Sequence, residues 1–176
     1  MNMSKYNLDA AHSSIDFSVK HMMVSKVKGS FTNFTAELDG AADDLKGAAI
    51  SFNIDVNSIT TNNGDRDNHL RSEDFFDSAN FPSIQFVATS VESTDVGEYA
   101  VTGDLTIKDV TKPVTFDVEY GGKGKNPWGQ EVVAFSAQAK INRKDFGLVW
   151  NQALETGGVL VGEDIKINVE LELNPA

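Results

Sequence analysis

The feature that most constrains the fold of this chain is a repeated alternation of apolar and polar residues. In the stretch 15–23, Ile15, Phe17 and Val19 take one phase, and Asp16 and Ser18 take the other. Successive side chains of a β-strand point to opposite faces of a sheet, so this period is typical of strands with one buried face. The same period recurs over residues 50–56, 84–88, 99–107, 114–120, 133–141 and 165–173, and a further strand is expected over 27–38. The sequence therefore predicts an all-β fold of about eight strands.

Turn-forming residues separate these strands at intervals that suit hairpins, because glycine, aspartate and proline adopt the backbone angles of tight turns. The turns are Asp39-Gly40, Asp95-Val96-Gly97, Lys108-Asp109-Val110 and the segment 121–129 with Pro127. We expect neighbouring strands to pair antiparallel and to close into an up-and-down β-barrel of lipocalin-like architecture, since closure removes exposed edges. A sandwich of two sheets is the alternative. A chain of 176 residues fits a single domain over 1–176.

One segment, 62–81, breaks the alternation. Asn63-Gly64 begins a polar stretch, and Ser72 precedes Glu73 and Asp74. A serine hydroxyl can accept hydrogen bonds from the free amides of a helix start, where acidic residues are also favoured. We therefore expect one or two short helices near residues 65–77, with Ser72 as an N-cap.

Composition excludes several classes of function. The chain has no cysteine, which rules out disulfides, a thiolate nucleophile and a cysteine-based zinc site. Fifteen Lys and Arg against 26 Asp and Glu give a net charge of -11, which is expected to repel nucleic acid and anionic lipid headgroups. No stretch reaches the roughly 18 apolar residues of a membrane helix, and the first 14 residues lack the pattern of a secretion signal. We therefore expect a cytoplasmic protein without an integral membrane segment.

The interior of the predicted barrel is expected to be rich in phenylalanine, because the chain has 11 Phe against two Trp and three Tyr. A barrel of about eight strands is either filled by side chains or encloses one small ligand. Rings with almost no polar atoms suit an apolar guest, and they equally suit a solid core. The residues alone leave both alternatives open.

Strand phase, the predicted helix and Trp150 supply a set of candidate ligand-binding residues. They are Phe17, Val19, His21, Phe31, Phe52, Ile54, His69, Leu70, Phe75, Phe86, Leu105, Phe116, Phe135 and Trp150. His21 and His69 are candidates for hydrogen bonds to a ligand head group, against the alternative of histidines satisfied by protein groups. We predict no metal site, because His12, His21 and His69 have no metal-binding spacing, and no catalytic residue, because no nucleophile elbow is present.

Four charged residues, Arg66, Asp67, Arg143 and Asp145, lie in the polar insertion and after a predicted strand end. We expect them to form an ion-pair network that holds the insertion across the barrel, for which bidentate arginine is suited. A mouth that recognises a polar head group is the alternative. Three glycines, Gly29, Gly103 and Gly147, are expected at bulges or where backbones approach closely, as glycines within strands often are.

Short motifs spread over nearly the whole chain are similar in order and spacing to those of one family. They cover residues 12–17, 20–22, 27–31, 66–70, 74–77, 81–86, 102–107, 111–114 and 142–147. Together they resemble the YceI family of polyisoprenoid-binding or lipid-binding proteins with a lipocalin-like fold. The resemblance implies a long internal tunnel for an isoprenoid or fatty-acyl chain, no known catalysis, and a homodimer as in many relatives.

The prediction is therefore a non-enzymatic protein that binds, sequesters or transports a long apolar lipid: a polyisoprenoid, an isoprenoid quinone or a fatty-acyl chain. No cofactor is expected apart from the bound lipid. Two alternatives remain open at this point. One is a stress-related enzyme that acts on such a lipid, and the other is a solid-cored β-domain that binds protein partners.

Overall fold

The chain forms one continuous antiparallel sheet in a computed structural model that describes residues 4–22, 24–151 and 161–176. The strands are β1 (Ser4–Leu8), β2 (Ser14–His21), β3 (Ser25–Phe31), β4 (Phe34–Ala41), β5 (Asp44–Asp55), β6 (Ile59–Thr60), β7 (Ser83–Asp95), β8 (Glu98–Ile107), β9 (Val110–Lys125), β10 (Glu131–Asn142) and β11 (Val161–Pro175). The helix is α1 (Gly64–Arg71), and short 3-10 helices span Ala10–His12, Val56–Ser58 and Arg143–Phe146. Met23, the last position of the first predicted strand, lies outside the described residues.

Eight of these strands form a closed ring. Its order is β1-β4-β5-β7-β8-β9-β10-β11, and β11 returns to β1 through the pairing of Pro175 with Tyr6. Each pairing in the ring is antiparallel. The predicted antiparallel barrel of about eight strands is therefore confirmed.

The strand β11 is long enough to pair with two strands along one edge. Its residues 173–175 pair with β1, whereas residues 161–170 pair with β2. The β2–β3 hairpin therefore extends one end of the barrel, and β3 continues the sheet to β6.

The stretch 27–38, predicted as one strand, is two strands separated by Thr32 and Asn33. The amide of Thr32 donates to the Ser58 carbonyl at 3.3 Å, and the carbonyl of Asn33 accepts from the Asp55 amide at 3.0 Å. Thr32 therefore bonds to the segment after β5, and Asn33 bonds to the last residue of β5, so the chain changes its hydrogen-bonding partner at these two residues. The apolar phase also shifts across this break, from odd positions up to Phe31 to even positions from Phe34, so the alternation carried a signal that the sequence analysis passed over.

The predicted turns at 95–97 and 108–109 join β7–β8 and β8–β9, and the predicted segment 121–129 overlaps the turn that joins β9–β10. The prediction of a turn at Asp39-Gly40 is wrong, because both residues lie within β4 and the chain turns at Ala42 and Asp43. Gly40 is needed there for close packing, since a Cβ on it would lie 2.6 Å from the Cβ of Ala48. The glycine therefore marks a close approach of two strands.

The helical insertion contains one α-helix. Its N-cap is Asn63, whose side-chain oxygen accepts a hydrogen bond from the Arg66 amide at 3.1 Å. The prediction of Ser72 as an N-cap is wrong, because Ser72 is the C-cap and its hydroxyl donates to the His69 carbonyl at 2.6 Å. Residues 73–76 form turns. The helix therefore begins after Asn63 and ends at Ser72, the residue that was predicted to start a helix.

Antiparallel order assigns the connections to two ends of the barrel. The β4–β5, β7–β8 and β9–β10 turns lie at one end, called here the hairpin end. The helix α1, the β2–β3 turn and residues 143–151 lie at the other end, called here the helix end. Buried Val133, Leu173 and Tyr99 fill the hairpin end, where the Tyr99 hydroxyl donates to the Asp43 carbonyl at 3.2 Å.

Candidate ligand cavity in the barrel

The interior of the barrel contains an elongated apolar cavity. The volume of this cavity, counted as the space open to the centre of a water molecule, is about 180 Å³. A cavity needs only about 10–15 Å³ of such space to hold one water, so this volume far exceeds a packing defect. The solid-cored alternative therefore does not describe this barrel.

The cavity extends along most of the barrel axis. On β11 alone its lining residues extend from Val161 to Leu173. At about 3.3 Å per residue and a strand tilt of about 40°, these residues span roughly 30 Å along the axis. The shape fits a chain better than a compact ring system.

Most of the predicted ligand-binding residues line this cavity. They are Phe17, Val19, Phe31, Phe52, Ile54, Leu70, Phe75, Phe86, Leu105, Phe116 and Phe135. The cavity wall does not include His21, His69 or Trp150. That any of these residues contacts a ligand stays a prediction.

Several lining side chains are only half-buried although they point inward. Phe17, Val19, Phe52 and Phe116 belong to this group. In a barrel with a filled interior, side chains on the inward phase would lose nearly all of their accessible surface. Their residual exposure is explained by the cavity, which leaves apolar surface without protein contact.

Aromatic rings contact one another along the wall. The ring centroids of Phe86 and Phe116 are 5.0 Å apart, and those of Phe17 and Phe31 are 5.6 Å apart. These separations lie within the range in which aromatic pairs attract beyond simple burial, so the rings hold one another in place. These contacts therefore stabilise the arrangement of rings along the apolar wall.

The rings of Phe17 and Phe86 each pack against a glycine in a neighbouring strand, where a larger residue would not fit. Gly29 is paired with Phe17 across β2 and β3, and a Cβ on it would collide with the Phe17 ring. A Cβ on Gly103 would lie 2.5 Å from the Val87 carbonyl oxygen and 2.6 Å from the Phe86 ring. The prediction of close backbone approach is confirmed at Gly103. It is wrong at Gly147, which is the left-handed C-cap of the 3-10 helix Arg143–Phe146 and has no atom within 4 Å of a Cβ position.

At the helix end, His69 is held in an aromatic cluster. Its ring centroid lies 4.6 Å from that of Trp150 and 5.1 Å from that of Phe75. Its Nε2 is 2.8 Å from a carboxylate oxygen of Asp74, so this nitrogen has a protein partner. The arrangement matches the alternative of a histidine satisfied by an acid. Phe75 links the cluster to the cavity wall.

The charged residue that lines the cavity from a buried position is Arg143, with 2% of its surface exposed. Its guanidinium donates to the carbonyls of Gly162 at 2.7 Å, Leu148 at 2.5 Å, Trp150 at 2.9 Å and Val161 at 3.3 Å. Burial lowers the pKa of this guanidinium, and the nearby charge of Glu163 opposes the shift. Arg143 therefore ties the start of β11 to residues 148–150.

The predicted ion-pair network among Arg66, Asp67, Arg143 and Asp145 does not form in the described part of the chain. Arg143 binds carbonyls, while one carboxylate oxygen of Asp67 accepts from the Thr61 amide at 2.8 Å and the Thr61 hydroxyl at 2.6 Å. Both arginine and aspartate can be satisfied by backbone groups, which sequence spacing does not reveal.

Arg71, which the sequence analysis missed, also holds α1 to the chain before it. Its guanidinium donates to the carbonyls of Asn57 at 3.3 Å and Ile59 at 3.1 Å. No motif surrounds this arginine. Its position in the last turn of a predicted helix, where a cation is favoured, is the signal that could have found it.

A separate cluster of His12, Asp9 and Glu172 lies on the surface. The Nδ1 atom of His12 is 2.8 Å from a carboxylate oxygen of Asp9 and 3.8 Å from one of Glu172. The hydrogen bond to Asp9 raises the pKa of His12, and the charges of Asp9 and Glu172 add to the shift. An ion pair that joins the 3-10 helix 10–12 to β11 explains this geometry.

Residues 6–173 match the sequence profile of the YceI-like domain. The chain belongs to the YceI-like family. The predicted resemblance is thereby confirmed, and the match covers every strand of this YceI-like barrel from β2 to β10 together with most of β1 and β11.

Related sequences extend over the same length. The chain is 46% identical over 173 residues to a UPF0312 protein from Staphylococcus epidermidis, with 98% of each chain covered. It is 45% identical to a UPF0312 protein from Staphylococcus aureus, with the same coverage of 98% of each chain.

Solved structures share the fold of this YceI-like chain. The YCEI protein of Campylobacter jejuni is 35% identical, with a TM-score of 0.75 and 95% of each chain covered. BcnA of Burkholderia cenocepacia gives a TM-score of 0.82 at 24% identity, covering 94% of this chain and 98% of BcnA. A polyisoprenoid binding domain from Saccharophagus degradans, implicated in plant cell wall breakdown, gives 0.71 at 14% identity, covering 99% of this chain and 100% of that domain.

The YceI-like barrel also has lining residues that the sequence analysis did not single out. On β11 they are Ile165, Ile167, Val169, Leu171 and Leu173. Their strict alternation was the available signal, and the emphasis on phenylalanine passed over it. Among the described residues, no helix has the length and apolar character required to cross a bilayer.

Proposed function

We propose that this protein binds a long apolar lipid, such as a polyisoprenoid, an isoprenoid quinone or a fatty-acyl chain, inside its barrel. The observation that carries the proposal is the elongated cavity with an apolar surface. A similar fold in a protein described as a polyisoprenoid binding domain supports the same class of ligand. The proposed act is sequestration or transport.

Burial of hydrocarbon is sufficient to drive such binding. Each methylene transferred from water contributes about 0.8 kcal/mol, so ten methylenes contribute about 8 kcal/mol before the cost of ordering the chain. Affinity is then expected to rise with chain length until the cavity is filled. No cofactor and no polar recognition are required for this step.

A binding role without catalysis agrees with the chemistry of the cavity wall. Among the lining residues, Asp16 and Glu37 are exposed and lie on the outward phase of their strands. The buried ionisable residue of the wall is Arg143, and a guanidinium does not exchange protons at neutral pH. The described lining therefore offers no general acid or base to a bound lipid.

A cavity-filling substitution tests the proposal. Ala137 lines the cavity and is buried, so Ala137→Phe would occupy space that the lipid needs. Loss of two buried methylenes costs about 1.6 kcal/mol, which weakens binding by about 15-fold. Native mass spectrometry with added polyprenol, quinone or fatty acid measures the uptake, and a titration gives the affinity.

Ala49→Phe is the matched control, because Ala49 is exposed on β5 and the variant makes the same change outside the barrel. We expect the control to bind like the unchanged protein. The proposal fails if the folded protein takes up none of the three lipid classes, or if both variants bind equally well.

A further inference from the structure

A cluster of lysines covers the outer face of four adjacent strands near the helix end. Across β3, β2, β11 and β10, Ser18 is paired with Lys28 and Lys166, and Lys166 is paired with Lys140. In the next row toward the helix end, Lys20 is paired with Lys26. The lysine patch is defined here as the exposed residues Lys20, Lys26, Lys28, Lys140 and Lys166.

This arrangement is unfavourable for the isolated protein. Like charges directly opposite one another on adjacent strands destabilise a sheet, and Lys20–Lys26 and Lys166–Lys140 are two such pairs. In the described part of the chain, Lys140 has an acidic partner, Asp164 at 3.4 Å, whereas the other patch lysines have no ion pair. The patch therefore presents net positive charge that the protein does not neutralise.

The patch is not a consequence of composition. The whole chain has 15 Lys and Arg and a net charge of -11, yet these five lysines share one face. Among the acids beside the patch, Glu163 binds Lys144 at 2.7 Å, and Asp16 lies one row further toward the hairpin end. The mean charge repels anions at long range, whereas this face attracts them at short range.

The turn that joins β2 to β3 adds an exposed apolar tip to the same face. Val24 is 87% exposed and Met22 is 48% exposed. Val149, at the same end of the barrel, is 61% exposed. Apolar side chains next to a row of cations are typical of surfaces that insert into the headgroup region of a bilayer.

The tip also lies close to the cavity wall. On the inner face of β2, Phe17 and Val19 line the cavity, while Lys20 lies on the outer face. Val161, which pairs with His21, also lines the cavity. A surface that bound the tip would therefore be next to the helix end of the cavity.

We propose that the β2–β3 hairpin and the lysine patch bind the surface of an anionic lipid bilayer. Headgroups of negative charge neutralise the paired lysines, and Met22 and Val24 enter the boundary between headgroups and acyl chains. A nucleic acid would satisfy the charge but not the apolar tip. The inference goes beyond lipid binding in the cavity, since it concerns the outer face of the barrel.

The experiment measures the binding of ligand-free protein to vesicles by flotation. We expect binding to vesicles that contain phosphatidylglycerol, little binding to pure phosphatidylcholine, and loss of binding at about 1 M salt, where charges are screened within about 3 Å. Lys20→Gln combined with Lys26→Gln should weaken the partition coefficient by about 30-fold, at about fivefold per lysine. This variant removes a repulsive pair, so it should be at least as stable as the unchanged protein.

Lys123→Gln combined with Lys125→Gln is the matched control. Both lysines are exposed on β9 near the hairpin end, and the variant changes the net charge equally. A second matched pair tests the tip: Val24→Asp should weaken binding, whereas Val96→Asp, at a 96% exposed position in the β7–β8 turn, should not.

Two results of the vesicle assay would overturn the proposal. One is no binding to phosphatidylglycerol vesicles at low salt, and the other is equal weakening by the two lysine pairs. Loss of Val24 exposure in a solution dimer, seen by sedimentation and by labelling, would assign the face to a second copy and would also overturn it. Since the protein carries no cavity ligand in this assay, failure here leaves the cavity proposal standing.

Discussion

At the scale of single residues, Arg143 shows how a buried charge can stabilise a barrel without an acidic partner. Its guanidinium donates to four backbone carbonyls, two at the start of β11 and two in residues 148–150. Removing the donor would deprive the carbonyls of Leu148, Trp150 and Gly162 of this partner, whereas the Val161 carbonyl also accepts from Asn151 at 2.7 Å. Each buried acceptor left unsatisfied costs free energy. The side chain thus connects the sequence after β10 to the start of β11.

We expect Arg143→Met to lower the free energy of unfolding by about 3 kcal/mol or more, because hydrogen bonds from a charged donor are lost in a buried site. Chemical denaturation measures the change. Arg66→Met is the control, since the side chain of Arg66 has no hydrogen bond or ion pair in the described part of the chain. Equal stability of the two variants would contradict the clamping role.

Gly103 offers a second test at this scale. A methyl group there would meet backbone atoms of β7 at 2.5 Å and 2.8 Å, and a backbone cannot rotate away as a side chain can. Gly103→Ala is therefore expected to destabilise by about 1–3 kcal/mol, the usual cost of overpacking.

Thermal and chemical unfolding measure the effect of Gly103→Ala. Gly124→Ala serves as the comparison, because a Cβ at Gly124, also within a strand, would have no neighbour within 4 Å. A neutral Gly103→Ala variant would show that β7 and β8 can separate without cost.

At the scale of elements, the helix α1 depends on two side chains that reach back to the segment before it. Buried Asp67 accepts two hydrogen bonds from Thr61, and Arg71 donates to the carbonyls of Asn57 and Ile59. The helix is short and mostly polar, so packing contributes little to its position. Its hydrogen bonds therefore fix it at the end of the barrel.

Asp67→Ala should release the helix locally. The Thr61 amide would lose its acceptor in a buried site, at a cost of about 1–3 kcal/mol. Hydrogen exchange should then become faster in residues 61–71 while the strands keep their protection. Asp65→Ala, an exposed position in the same helical turn, should leave exchange unchanged. Uniform acceleration across the barrel would contradict a local anchor.

Alternation predicted the strands well because the inward face of this barrel is apolar along nearly its whole length. The prediction failed at Thr32 and Asn33, because the shift of the apolar phase from odd to even positions between Phe31 and Phe34 was passed over. It also failed at Asp39-Gly40, since a glycine needed for close packing resembles a glycine needed for a turn. Ser72 was misplaced because a serine beside acids suits a helix end as well as a helix start.

At the scale of the whole molecule, closure and the antiparallel order followed from the strand count and the turns. The cavity did not follow, because the same phenylalanines could have filled the space. Whether they fill it depends on strand tilt and stagger, which a sequence pattern does not specify. Strand phase located much of the cavity wall, whereas no sequence pattern indicated that Arg143 lines it.

The division of the β11 edge between β1 and β2 has a consequence for the whole barrel. The ring closes through β1 at residues 173–175, so its closure does not depend on the hydrogen bonds that hold the β2–β3 hairpin at residues 161–170. If that hairpin separated from β11, the barrel would open at the helix end while the ring of eight strands stayed closed at the hairpin end. A break between β2 and β11 would therefore leave the closure through β1 intact, because the two pairings use different bonds.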